Sequence, residues 1–209
     1  MSNKAKLEQR RSAVRETILD AAREAIAAKG HQSFSMRKLA GSIGYSPGAL
    51  YLYFETREDL LNCLVEEAFA KLLEVLTDVH DRNDPVRSLE NKMRAYVDFG
   101  LRFPNHYQFA FVIRPTTGKT PATYRPHAAY DVVRNAVRRC LEEGRLPWPD
   151  IETSSQILWV TLHGITSLLI VLPNFPWIER EKLIDQVIGT AIHGLGRRAA
   201  QTGGDDDAR

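Results

Sequence analysis

Arg37, Tyr51, Tyr53 and Arg57 are the residues whose types and spacing most suggest chemistry, and that chemistry is contact rather than bond-making. A guanidinium presents a planar fork of donors that fits two acceptors at once, and a phenol hydroxyl suits a single anionic oxygen. Little else in the 209 residues competes with them. The six histidines are scattered, none four residues from another, and no nucleophile–base motif, phosphate-cradling loop or paired set of metal ligands is present. Cys63 and Cys140 stand alone on the apolar sides of predicted helices and read as buried free thiols. No catalytic residue, metal or cofactor is expected.

The four contact residues sit in or beside residues 34–54, FSMRKLAGSIGYSPGALYLYF. Ser35 is a good N-cap, and Met36, Leu39, Ala40 and Ile43 follow at helical spacing as a buried face. Gly44 supplies the backbone freedom of a helix end. Ser46 caps a second helix with Pro47 at its first position, where a missing N–H does no harm. That helix is predicted to run through Phe54, burying Leu50 and Phe54 and turning Pro47, Gly48, Ala49, Tyr51 and Tyr53 outward. Such a short helix survives only by packing. The pair reads as a helix-turn-helix for the DNA major groove. Arg37 is then placed to pair with guanine O6 and N7, and Pro47, Gly48 and Ala49 to lie close against thymine methyls. Tyr51, Tyr53 and Arg57 are expected on phosphates, with the capping Ser35 and Ser46 completing the DNA-facing set. Residues 1–54 carry net charge +5 in a chain totalling +2, so a basic front end precedes a mildly acidic body. Lys4, Lys6, Arg10 and Arg11 form a basic arm expected to order only on DNA.

With its flanks, the segment resembles the tetracycline-repressor (TetR) family of bacterial transcription regulators. The shared pattern is the Ser35 cap, basic Arg37, Leu39-Ala40, Gly44 at the turn, Tyr51-Leu52-Tyr53-Phe54, and basic Arg57 opening a long helix. Arg57 stands where the family usually has Lys, Tyr45 where a small aliphatic is common, and Gly41 lies inside the first motif helix. The resemblance implies a homodimer on a near-palindromic operator, repression by occupancy and release by a small hydrophobic or aromatic effector. It also implies a cytoplasmic, nucleoid-associated protein, and the polar N-terminus and short 165–173 apolar run carry neither a secretory signal nor a membrane span. The alternative is a helical small-molecule-binding protein without DNA-binding activity.

Helical periodicity continues to the end, predicting an all-α chain of about nine helices: three in a DNA-binding domain (1–56), the rest in an effector-binding and dimerisation bundle (57–200), then a disordered tail (201–209). The bundle is rich in aromatics with polar neighbours, including Arg114, Tyr124 and His127. Met93, Tyr96, Phe99, Phe103, Tyr107, Phe111, Trp159, His163 and Thr166 are the candidate effector pocket, with core packing the competing role. Trp159, His163 and Gly164 resemble the pattern of the TetR subgroup with a WHG C-terminal domain. Val160, Gly164, Ser167, Leu168 and Val171, with Ile184, Val187, Ile188, Ala191, Ile192 and Leu195, are expected to form a four-helix dimer seam.

Overall fold

The computed structural model describes residues 3–79, 83–111, 126–146, 148 and 150–202. Among them lie nine α-helices and no strand, so the chain is all-α. These are α1 (Asn3–Lys29), α2 (Met36–Ser42), α3 (Pro47–Tyr51), α4 (Arg57–Asp78), α5 (Pro85–Arg102), α6 (Pro104–Phe111), α7 (Pro126–Glu142), α8 (Ile151–Val171) and α9 (Arg180–Thr202). A single 3-10 turn, His31–Ser33, follows α1. Three boundaries correct the sequence expectation. The basic arm is already helical, since α1 starts at Asn3, and its Ala, Lys, Leu, Glu, Gln and Arg residues are strong helix formers. Helix α3 stops at Tyr51, leaving Phe54 buried but beyond its end. Gln201 and Thr202, assigned to the tail, belong to α9. The 114–125 loop residues and 203–209 lie outside the described residues.

Two compact units divide the chain. The first holds α1 to α3, α4 as far as Ala68, and α6 from Asn105; the second holds α4 from Phe69, α5, and α7 to α9. The expected boundary after residue 56 marks the start of α4, whereas the packing division falls inside that helix. Leu60, Leu61, Leu64 and Val65 on its first turns are buried in the first unit with Ile18, Leu19, Ala22, Leu39 and Leu50. Each large side chain so buried contributes about 1.5–3 kcal/mol before entropy is counted. Arg23 of α1 reaches Glu67 of α4 at 2.8 Å. Burial still raises the Glu67 pKa, outweighing that arginine.

In the second unit, α5 packs against α7, α8 and α9, and α8 also packs against α7 and α9. Lys92 of α5 is buried, and its Nζ donates to the Leu76 carbonyl at 2.8 Å and to the Val79 carbonyl, closing the C-terminal end of α4. Desolvation lowers its pKa. Asp84 caps α5, its carboxylate accepting from the Val86 and Arg87 amides at 3.0 and 3.2 Å. Replacing Asp84 by alanine is expected to lower unfolding stability by about 1 kcal/mol, measured by denaturant titration.

Helix α8 is long and apolar enough, by length and composition, to cross a membrane, which the shorter 165–173 run did not suggest. Its apolarity is two-sided. Leu158, Leu162, Ile165, Thr166 and Leu169 are buried, while Ile157, Val160, Leu168 and Val171 are exposed.

Candidate functional site

The reading head is built from local capping chemistry. Ser35 Oγ accepts from the Lys38 amide at 3.3 Å and Ser46 Oγ from the Ala49 amide at 3.2 Å, so each hydroxyl satisfies an orphan donor of its helix. Between them Gly44 sits at φ +74°, in the left-handed region, and the Tyr45 amide donates back to the Ala40 carbonyl at 2.9 Å. Met36, Leu39 and Ala40 are buried as expected. Ile43 is only half-buried, because it is the C-cap and has left the helical path.

What remains outward is a set of groups suited to duplex DNA. Arg37, Pro47, Gly48 and Tyr51 are exposed, and Ala49 and Tyr53 are half-buried. Arg57 is placed differently. At the N-terminus of α4 its Nε donates to the Phe34 carbonyl at 3.2 Å, its guanidinium lies 5.8 Å from the Phe34 ring centre, and Nη1 meets Glu58 at 3.3 Å. It thus fastens α4 to the residue before the α2 cap, a role its position in the sequence did not reveal. The α4 start is set by a reciprocal capping box: the Asp59 amide donates to Thr56 Oγ1 at 3.0 Å and the Thr56 amide to Asp59 Oδ2 at 2.9 Å. Cys63, expected buried, is half-buried and accepts from Arg15 Nη2 at 2.9 Å. Its pKa is raised by burial, so the group is a thiol receiving a guanidinium hydrogen bond rather than an ion pair. Cys140 is fully buried, and burial pushes its thiol up to about 11.

The candidate effector residues separate. In the second unit Met93, Tyr96, Phe99 and Thr166 are buried, and Phe103, Trp159 and His163 are half-buried. Tyr107 and Phe111 belong to the first unit and pack on each other at 4.8 Å. The Thr166 hydroxyl donates to the Leu162 carbonyl of its own helix at 2.7 Å. Trp159 is met edge-on by Tyr96 at 5.2 Å and by Tyr130 at 5.6 Å, with interplanar angles of 66° and 86°. Ser154, five residues earlier on α8, is fully buried, and its Oγ has no hydrogen-bond partner among the described residues. Neither Ser154 nor the Tyr130 edge could be read from spacing, since both depend on how α7 and α8 meet. His163 Nε2 lies 3.4 Å from Ser167 Oγ, and burial lowers the imidazole pKa.

The expected dimer residues also divide. Val160 and Val171 are 69% and 70% exposed in the isolated chain, Leu168 is exposed, and Gly164 and Ser167 are half-buried. Ile184, Ile188 and Ile192 instead face the protomer's own interior, where Trp148 Nε1 donates to the Ile192 carbonyl at 2.9 Å. Val187 and Ala191 are half-buried between, and the Leu195 side chain lies outside the description. An apolar recess of about 310 Å³ opens between α8 and α9, lined by Gly164, Leu168, Trp177 and Val187 among others. Leu172, Phe175 and Ile178 extend the exposed apolar surface past the end of α8, beyond the residues anticipated from sequence.

Against this geometry, residues 18–64 match the family described as bacterial regulatory proteins, tetR family, and residues 89–190 match the Tetracyclin repressor-like C-terminal domain. The chain is 39% identical over 57 residues to the fatty acid metabolism regulator protein of Bacillus subtilis (strain 168), covering 27% of this chain and 29% of that protein. It therefore spans less than a third of that relative's length. Solved structures share its fold, two of them as follows. One is a bacterial regulatory protein in the tetR family from Rhodococcus RHA1, with TM-score 0.73 and 18% identity over 87% of this chain and 96% of that one. The other is AibR in complex with isovaleryl coenzyme A and operator DNA, with TM-score 0.70 and 20% identity over 86% and 98%. The chain belongs to the tetR family of bacterial regulatory proteins.

Proposed function

We propose that this chain binds a near-palindromic DNA operator as a homodimer, represses transcription by occupying it, and is released by a small hydrophobic or aromatic effector. The observation that carries the reading is the capped α2–Gly44–α3 unit with Arg37 and Tyr51 left outward. In a dimer, two such heads sit about one DNA turn apart, roughly 34–36 Å. Arg37 reads a base edge, and Tyr51, Tyr53 and the exposed Lys6 and Arg10 of α1 meet the backbone. The exposed face of α8, with its glycine recess, is the proposed seam between copies.

Trp159 with Tyr96 and Tyr130, and the buried Ser154 hydroxyl, supports an effector that is mostly apolar with one hydrogen-bonding group. Acyl thioesters are the first probes to try, because AibR is complexed with one. Helix α4 runs from the first unit into the second and is the proposed carrier of the signal. To switch occupancy, the effector binds the two conformations differently, typically by 1–3 kcal/mol of coupling. The protein acts in the cytoplasm and carries out no catalysis on this reading.

The test is a gel shift of the full chain against the DNA upstream of its own gene, over a range of salt. With 6–10 phosphate contacts, affinity is expected to fall roughly 10³–10⁵-fold between 50 and 200 mM salt. No shift even at low salt would favour a helical ligand-binding protein that does not bind DNA.

A further inference from the structure

The recognition helix α3 has only five residues, too few to hold its own geometry, and its end is closed by residues 52–54, whose amides donate back to the Ala49 and Leu50 carbonyls. Two arginines of α1, four residues apart and so on one face, meet the chain where α3 ends. Arg11 Nη2 donates to the carbonyl of Leu52, the α3 C-cap, at 3.3 Å, and the Arg11 guanidinium lies 6.0 Å from the Tyr53 ring centre. One turn on, the Arg15 guanidinium lies 5.2 Å from the ring centre of buried Phe54, donates to Cys63 Sγ of α4 at 2.9 Å, and approaches Glu16 at 3.9 Å. Three consecutive residues, 52 to 54, are thus gripped from α1. A cation at the C-terminal end of a helix also complements its dipole.

We propose that Arg11 and Arg15 are positioning residues for DNA recognition, bracing the end of α3 so that Tyr51 and Tyr53 are presented at a fixed angle, and are not themselves phosphate contacts. The basic character of α1 is therefore split. Lys6 and Arg10 lie exposed, while Arg11 and Arg15 turn back onto the reading head. The proposal rests on the DNA-binding reading above. Wild-type protein that fails to bind any DNA defeats that reading, whereas wild-type binding with indifferent variants defeats this one alone.

The test uses full-length Arg15→Met and Arg11→Met, which keep an apolar stem and remove the fork and charge. Operator affinity, affinity for unrelated duplex and the salt slope of each are measured, with thermal melting alongside. Bracing predicts about a tenfold loss of operator affinity, unrelated-duplex binding changed less than threefold, and a salt slope equal to wild type, because no phosphate-neutralising cation has gone. Arg15→Lys is expected not to rescue, since an ammonium lacks the planar face that lies on Phe54. A slope reduced by about one, with operator and unrelated duplex weakened equally, would make these residues phosphate contacts and overturn the proposal. Unchanged operator affinity in both variants would also overturn it. Should Arg15→Met melt below the assay temperature, the surface-lying Arg11→Met decides by the same readouts.

Discussion

Replacing Arg37 by alanine is expected to weaken operator binding by roughly 1–3 kcal/mol and to relax preference at a single base pair in each half-site. The expectation follows from where the residue sits. Arg37 lies on the second position of α2, exposed, with the capping hydroxyl of Ser35 already engaged by the Lys38 amide. A guanidinium there is a fork on a rigid support, which favours a bidentate contact over a diffuse one. The check is binding to a panel of operators carrying each base at each position. Loss confined to one position supports base reading. A uniform loss across the panel, with a shallower salt slope, would make Arg37 a backbone contact instead.

The second large effect is expected at Gly164. A Cβ built there meets no atom within 4 Å, so nothing inside the protomer requires glycine at that site. By helix propensity alone alanine would stabilise α8 by about 1 kcal/mol. If the glycine instead serves close approach of a second copy, larger side chains must push the copies apart. Overpacking costs about 1–3 kcal/mol per site, and two-fold symmetry places the change on both partners. Gly164→Leu is therefore expected to leave the melting behaviour of dilute protein near wild type while shifting sedimentation toward monomer. Operator affinity should fall with it, because two half-sites would no longer be read together. An unchanged dimer in Gly164→Leu would remove α8 from the seam.

These two positions also mark how far the sequence could be read. The capped turn was legible because its determinants are local: Ser35, Ser46 and Gly44 each act within three or four residues of themselves. The length of α3 was not, since part of what holds its end is Arg11, which is 41 residues away. Apolar periodicity placed α8 and α9 correctly, yet an apolar stripe carries no mark of whether it faces its own core or a partner. Hence Ile184, Ile188 and Ile192, expected at the seam, are protomer core, while Phe175 and Ile178, which lie beyond helical spacing, are exposed. Arg57 shows the same limit for charge. Its place at a helix start suggested phosphate; that its guanidinium also meets the carbonyl and ring of Phe34 follows only from the folded unit.

The candidate effector residues were legible as composition and not as a grouping. Tyr96 and Trp159 meet as part of an aromatic cluster, whereas Tyr107 and Phe111 pack with each other in the other unit. The aromatic count could not give that grouping, which required knowing which helices pack together.

The most direct test is the DNA that the intact protein selects from a random duplex pool. Two-fold heads on a shared seam predict a near-palindrome whose half-sites are centred about 10 base pairs apart, bound by two chains. Enrichment of a single unrepeated half-site bound by one chain, or no enrichment at any salt, would contradict it.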